Sequence, residues 1–288
     1  MRGPIAAAVV TAVLVGGAAG QDAVTFKNYA YKVGDRTRTV TSEDTTSATT
    51  FVAGGKEQTK NEKKKKSYTY ATEVIEVGPD AEKPTKRRRT YEKAVEEVDG
   101  VETKQSLHGR TVTIERSGDK YAFSADGAPL DAAALKVLDA EFAKKGKSDD
   151  NFFPKGGVKV GQSWDLTEQF LKEMEKPESA FALVPKRSVV TGKLLAVTKK
   201  GAATFGEIQV TGELPLAEIR GKLPLKLNPG SAMKMSMKGS GALDGTSPEG
   251  NMTMTMTMTM DGGAMGVTVK ANIEIKTTSR TERLGGKK

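Results

Sequence analysis

Residues 251–262 read NMTMTMTMTMDG, five methionines alternating with four threonines. The reading of this stretch decides the fold. In an extended chain successive side chains point to opposite faces, so Met252, Met254, Met256, Met258 and Met260 share one face. In a helix, a step of two rotates each methionine by about 200° and scatters the set around the axis. The intervening threonines are β-branched, which disfavours the helix further. Asp261-Gly262-Gly263 reads as a turn, and a cleaner alternation follows it. Val267, Val269, Ala271, Ile273 and Ile275 alternate with Thr268, Lys270, Asn272, Glu274 and Lys276, the pattern of a strand with one dry and one wet face. Upstream, Met233, Met235 and Met237 repeat the spacing, and Leu243 continues the odd-numbered face. Three consecutive strands thus present one methionine-rich apolar wall.

Such a wall has three readings. It is a core surface, in which each buried methionine contributes about 1.5–3 kcal/mol. It is a groove for a lipid or acyl chain, to which adaptable thioethers are suited. Or it binds Cu(I) through thioethers. Against copper, residues two apart on a strand lie about 6.6 Å apart, no cysteine is present, and the one histidine, His108, is remote in sequence. No metal and no cofactor are expected.

Working outward, residues 24–128 are rich in Thr, Val, Tyr and charge. They are punctuated by breaks at Ala53-Gly54-Gly55, Gly78-Pro79, Asp99-Gly100 and Ser117-Gly118-Asp119. The runs RTRTVT (36–41), SYTYATEV (67–74) and RTVTIER (110–116) predict an antiparallel meander. The period then changes. Ala134, Leu135, Leu138 and Phe142 fall at helical spacing, with Asp131 as N-cap and Gly146 as stop. A second short helix is expected across 166–176, with Leu166, Phe170, Leu171 and Met174 apolar and Pro177 ending it. From Arg187 strands return. The expected organisation is a β region over 21–130, a helical segment over 131–180 and a β region over 181–288, together one continuous domain.

The first twenty residues, MRGPIAAAVVTAVLVGGAAG, have the composition of a secretory signal peptide: Arg2, an apolar run from Ile5 to Val15, and a small-residue site before Gln21. The apolar run is shorter than the roughly 20 residues a membrane span needs. The mature chain is therefore expected in the periplasm or secreted, with no transmembrane span and, lacking cysteine, no lipid anchor. Without disulfides, stability must come from burying a core. The net charge of +9 falls to +8 when Arg2 is removed. Outside the cytoplasm such a charge points to anionic envelope polymers or lipid headgroups before nucleic acid.

Several strings imitate catalytic motifs. Gly146-Lys147-Ser148 ends like a phosphate loop, but Glu141 stands where the first glycine is required and a helix precedes it. Gly161-Gln162-Ser163-Trp164-Asp165 resembles a nucleophile elbow, yet His108 precedes the serine where the hydrolase order places it after. Ser117-Gly118-Asp119-Lys120 matches S-x-x-K in a hairpin turn, without its companion elements. One histidine and no cysteine cannot build the usual zinc shell. A carboxylate-only glycosidase stays formally open, with a single Trp for sugar stacking. A transmembrane β-barrel would need aromatic girdles that 6% aromatics can scarcely supply. The expectation is a non-enzymatic protein, with no catalytic residues.

Two basic runs remain: Lys63, Lys64, Lys65 and Lys66, and Lys86, Arg87, Arg88 and Arg89. Each lies in or beside a predicted strand, so alternate residues face opposite ways. They read as a solvated strand edge that discourages aggregation, or as a patch for an anionic polymer.

The stretch FPKGGVKVGQSW (153–164) resembles a segment of uncharacterised secreted proteins of bacterial envelopes, of the form F-P-x-x-x-V-x-V-G-x-S/T-W. Those proteins are similar to the half-open barrels of outer-membrane lipoprotein carriers. The resemblance implies a curved antiparallel sheet with helices against its concave side, and it carries no catalytic residue across. From the residues themselves, Pro154 stiffens the entry, the glycines permit turns, and Trp164 is expected to plug the space between helix and sheet. The fold expected is mainly β, a curved antiparallel sheet or half-open barrel with one or two short covering helices. The function expected is an exported envelope protein binding an apolar or acyl-chain ligand on its methionine face; the alternative is a structural or wall-associated protein binding anionic polymers through its basic strands.

Overall fold

The computed structural model describes residues 23–142, 153–154, 156–174, 179–220, 224–264 and 266–285. The expected signal peptide, the helix stop at Gly146 and Pro177 lie outside the described residues. Among the described residues the strands are β1 (Arg36–Ala53), β2 (Lys56–Glu76), β3 (Lys86–Val98), β4 (Val101–Lys104), β5 (Thr111–Ser117), β6 (Lys120–Ala125), β7 (Ser163–Asp165), β8 (Phe181–Leu183), β9 (Val189–Lys200), β10 (Ala203–Ile219), β11 (Leu225–Leu227), β12 (Ala232–Ala242), β13 (Gly250–Ala264) and β14 (Val267–Arg283). The helices are α1 (Ala132–Phe142) and α2 (Thr167–Met174).

All fourteen strands belong to one curved antiparallel sheet. Its order runs β6-β5-β3-β2-β1-β14-β13, continues through β12 and the short β11 to β10, and ends β9-β7. β4 pairs with β3, and β8 with β10. The sheet is open: β6 and β7 are its edges, and the closed barrel weighed from the sequence is not formed. β1 pairs with β14 from Thr37↔Arg283 to Ala53↔Val267, so the first and last long strands fuse the two expected β regions into one sheet.

The turn expected at Asp261-Gly262-Gly263 is instead strand. Asp261 pairs with Lys270, Gly262 with Val269 and Gly263 with Thr268, and the chain reverses only after Ala264, which pairs with Val267. The glycines answer a different need. A Cβ on Gly262 would stand 2.9 Å from the Leu227 Cα of β11, which lies against this end of β13. Glycine in a strand here marks a close backbone approach and not a reversal.

Both helices cover one face of the sheet, which we call the inner face. Ala134, Leu138 and Phe142 of α1, spaced by four, are buried against Tyr91, Ala94, Val112 and Ile114. Asp131 caps this helix, its Oδ1 accepting from the Ala134 N–H at 2.7 Å. Leu135, expected on the buried side, is exposed, because the 134/138/142 stripe alone meets the sheet. Phe170, Leu171 and Met174 of α2 pack partly buried on a second cluster, in which Leu166, Val190, Val210, Leu214 and Leu216 are buried.

A third cluster joins the start of the described chain to the sheet. Val24 and Val158 exchange backbone hydrogen bonds of 2.9 Å, and both pack with Val160, Leu194 and Leu243. Phe26 stacks on Phe153 with ring centroids 4.0 Å apart, and both rings tilt against Trp164 at 6.2 and 6.4 Å. The FPKGGVKVGQSW segment therefore works as packing, with its Phe, Val and Trp side chains as the anchors. Trp164 lies flat on β9 over Gly192, where an added Cβ would meet indole atoms at 2.6–2.7 Å.

Gly192→Ala is therefore expected to displace the indole and lower stability by about 1–3 kcal/mol, the usual range for overpacking a filled site. Trp164 is the one tryptophan, so urea unfolding followed by its fluorescence reads both effects. An unchanged midpoint and emission maximum would show that this contact is not tight.

Candidate functional site

The methionine wall forms as the alternation demands. β12 and β13 oppose Met233 to Met258, Met235 to Met256 and Met237 to Met254, and Met252 faces Gly239. On the far side β14 sets Ile275 beside Met256, Ile273 beside Met258 and Ala271 beside Met260. On the near side β10 sets Leu214 beside Met233 and Val210 beside Met237. Gly212 faces Met235, and a Cβ there would stand 2.9 Å from the Met235 Cγ, so the thioether lies across the glycine. The sequence placed the strand of Ile273 and Ile275 in this wall, but the cross-strand methionine pairs and the Val210 and Leu214 flank on β10 were not read from it, since pairing register is a long-range property. Thr253, Thr257 and Thr259 on the opposite face are exposed and Thr255 is half-buried.

Burial along the wall is uneven. Met233, Met258 and Met260 are 3, 7 and 6% exposed, inside the cluster covered by α2 and β8. Met235, Met237, Met252, Met254 and Met256 are half-buried. One end of the wall is thus closed core, and the other continues the same apolar surface toward solvent.

The eight cations of the basic runs do not make one surface. Lys64 and Lys66 point to the inner face, Lys63 and Lys65 to the outer. Lys64 pairs with Glu96 at 2.5 Å, Lys65 with Asp44 at 3.6 Å and Lys66 with Glu43 at 4.0 Å, while Lys63 is exposed. In β3 the run splits likewise. Lys86 pairs with Glu115 at 2.6 Å and Arg88 with Glu73 at 2.8 Å, on the outer face. Arg87 and Arg89 turn inward beside α1. Arg89 is 3% exposed, lies 4.0 Å over the Tyr70 ring, and donates from Nη1 to Glu141 at 2.9 Å and to the Tyr91 hydroxyl at 3.0 Å. Burial opposes its charge, but Tyr91 and Glu141 hold its pKa above the ordinary value. Among the described residues Lys63 and Arg87 are the two of the eight without an ion pair.

Between the methionine wall and the α1 cluster the inner face is polar. Thr39 and Thr41 of β1 meet Thr281 and Ser279 of β14, hydroxyl to hydroxyl, at 3.1 and 3.3 Å. His108, expected in a surface turn, does sit in a turn but is half-buried, its Nδ1 accepting from the Ala94 N–H at 3.3 Å. Among the described residues no three His, Cys, Asp or Glu side chains gather as a metal site would require.

No family model matches the chain, and no curated protein matches it. Among solved structures it is similar to an outer membrane channel from Pseudomonas putida F1, at 10% identity over 89% of this chain and 98% of that one, with a TM-score of 0.19. A likeness of that size supports no shared fold or function.

Two predictions follow from this geometry. Met258→Ala is expected to lower stability by about 2–5 kcal/mol, the range for a buried methionine that leaves a cavity, and Met254→Ala by clearly less. Equal losses in urea denaturation would mean that the wall is closed along its whole length.

The second concerns alkaline pH. The Tyr91 hydroxyl is pushed up to about 12, chiefly by burial, and that of Tyr29 to about 12 by burial and by its hydrogen bond to Asp35. In the unfolded chain both ionise near pH ~10. The folded state thus keeps protons that the unfolded state has released, so this contribution is whole below pH ~10 and is lost as pH rises toward 12. Urea midpoints should fall steeply across that window, and Tyr91→Phe should flatten the fall. A flat profile in the parent protein would contradict the burial of Tyr91.

Proposed function

We propose that the chain is an exported, non-catalytic envelope protein that holds an acyl chain or similar apolar ligand on its methionine face. The observation that supports this reading is the gradient along the wall. Met233, Met258 and Met260 are closed beneath α2, whereas Met235, Met237, Met254 and Met256 extend the same surface and stay half-buried. A surface that served packing alone would gain by being covered to its end, at about 25 cal/mol per Å² of apolar area removed from water. Unbranched thioethers also adapt to ligands of varying shape at little strain. The residues on either side, Val210 of β10 and Ile275 of β14, widen the strip across neighbouring strands.

Export rests on the composition of residues 1–20 and supplies the setting in which free acyl chains and lipids are met. The polyanion reading is not favoured, because six of its eight cations already face carboxylates.

The test is titration of residues 21–288 with a fluorescent long-chain fatty acid. Saturable binding is expected, weakened at least about tenfold in Met237→Ser/Met254→Ser, with a far smaller change in stability than Met258→Ala gives. Absence of saturable binding, or binding untouched by the double substitution, would overturn the reading.

A further inference from the structure

Arg87 and Arg89 stand two apart on β3 and so share the inner face. They line a recess of about 190 Å³ together with the Tyr31 ring and the hydroxyl-bearing Thr37, Thr72 and Thr281. Asp35 also borders it, which would seem to spoil the recess for an anion. Its charge is already spent: Asp35 accepts from the Lys32 N–H at 2.7 Å and the Tyr29 hydroxyl at 2.8 Å, and pairs with Arg283 at 3.1 Å. The other nearby carboxylate, Glu141, is paired with Arg89.

Arg87 is the charge left over. Among the described residues it makes no hydrogen bond or ion pair, and its Cζ lies 5.9 Å from the centre of the Phe142 ring. Arg87 is half-buried, and burial, the largest influence on it, pulls its pKa below the ordinary arginine value although Glu141 opposes that shift from a distance. Arg89 also borders the recess, with its Nη1 held by Glu141 and Tyr91 and its buried Nε without a hydrogen-bond partner. Buried cations are as a rule paired, and a guanidinium fork matches the oxygens of a carboxylate or phosphate.

We propose that Arg87, assisted by Arg89 and the threonine hydroxyls, forms a binding site for one oxyanion group, a phosphate or carboxylate. The site receives its net positive charge from Arg87 alone, since each carboxylate nearby has its own arginine. Its volume of about 190 Å³ admits one such group together with water. It lies across β3, β2, β1 and the Thr281 end of β14, outside the methionines of β12 and β13, and so goes beyond the acyl-chain reading without resting on it.

The experiment is calorimetric titration of residues 21–288 with inorganic phosphate and, separately, with decyl phosphate, at constant ionic strength held by sodium chloride. Saturable phosphate binding is expected in the parent protein. It should fall at least tenfold in Arg87→Met and in Arg87→Gln, and stay unchanged in Arg88→Gln on the outer face. Removing an unpaired, half-buried charge should leave the fold intact, and circular dichroism checks that both Arg87 variants are folded. Decyl phosphate binding no tighter than phosphate identifies a free anion as the occupant. Much tighter binding that is still lost in Arg87→Met identifies a lipid headgroup. Phosphate binding should also survive Met237→Ser/Met254→Ser, so failure of this proposal is distinguishable from failure of the acyl-chain reading. Absence of binding by either probe, or equal binding in folded Arg87→Met, overturns the site.

Discussion

The register of β13 between β12 and β14 governs the remainder of the sheet, because side chains alternate with a period of two and a slip of one residue would turn five methionines to the wet face. In the observed register methionine opposes methionine across β12 and β13, and isoleucine opposes methionine across β13 and β14. β14 carries that choice of face onward, since it pairs with β1 along almost its full length. The side on which α1 finds its apolar partners, five strands away, is thus the side already chosen by the methionines. A single facing decision made near the C-terminus is transmitted by backbone hydrogen bonds to the N-terminal half.

That shared face has two dry regions and a wet middle. Each dry region has its own helix, α1 over the tyrosine-rich cluster and α2 over the closed end of the methionine wall. Between them β1 and β14 contribute Thr39, Thr41, Ser279 and Thr281, whose hydroxyls satisfy one another across the strands. Such pairs give modest stability, about 0.2–1 kcal/mol each, and satisfy polar groups at the centre of the sheet. The helices are short, so neither can reach across the middle. The consequence is that apolar and cationic features of the inner face are segregated, with the half-buried methionines on one side and Arg87 on the other.

How much of this was legible in the sequence depended on range. Met252 to Met260 announced their strand and their face, because alternation is local. Asp131 announced the start of α1 for the same reason, through a side chain that reaches three residues on. Asp261-Gly262-Gly263 misled, since glycine signals both a reversal and a close strand approach, and only the position of β11 decides between them. Leu135 misled because helical spacing admits a wider stripe than this sheet covers. The basic runs were legible as strands facing two ways. Their carboxylate partners were not, for Glu43, Asp44, Glu73, Glu96 and Glu115 meet them only through pairing register. Alternation set Arg87 and Arg89 on one face and Lys86 and Arg88 on the other, but only the sheet shows which face is the inner one and that Arg87 meets no carboxylate there among the described residues.

Edge protection accounts for much of the remaining charge. β3 reaches along β2 only as far as Val98 opposite Lys64, and Asp99 closes Lys63 with two hydrogen bonds, so among the described residues Lys56–Glu62 has a partner on one side alone. A free edge of that length would template pairing with another chain if it were apolar. Here it reads KEQTKNE, with charges on both faces. Lysine in it and at its end raises the desolvation needed for any strand to dock, which gives Lys63 a purpose that requires no polymeric anion. The lysines just beyond, Lys64 to Lys66, enter the paired part of β2 and acquire carboxylates as they do so. Of the eight cations in the two basic runs, Lys63 is therefore solvated and six face carboxylates. Arg87 does neither, which is why its recess stands apart from the other basic positions.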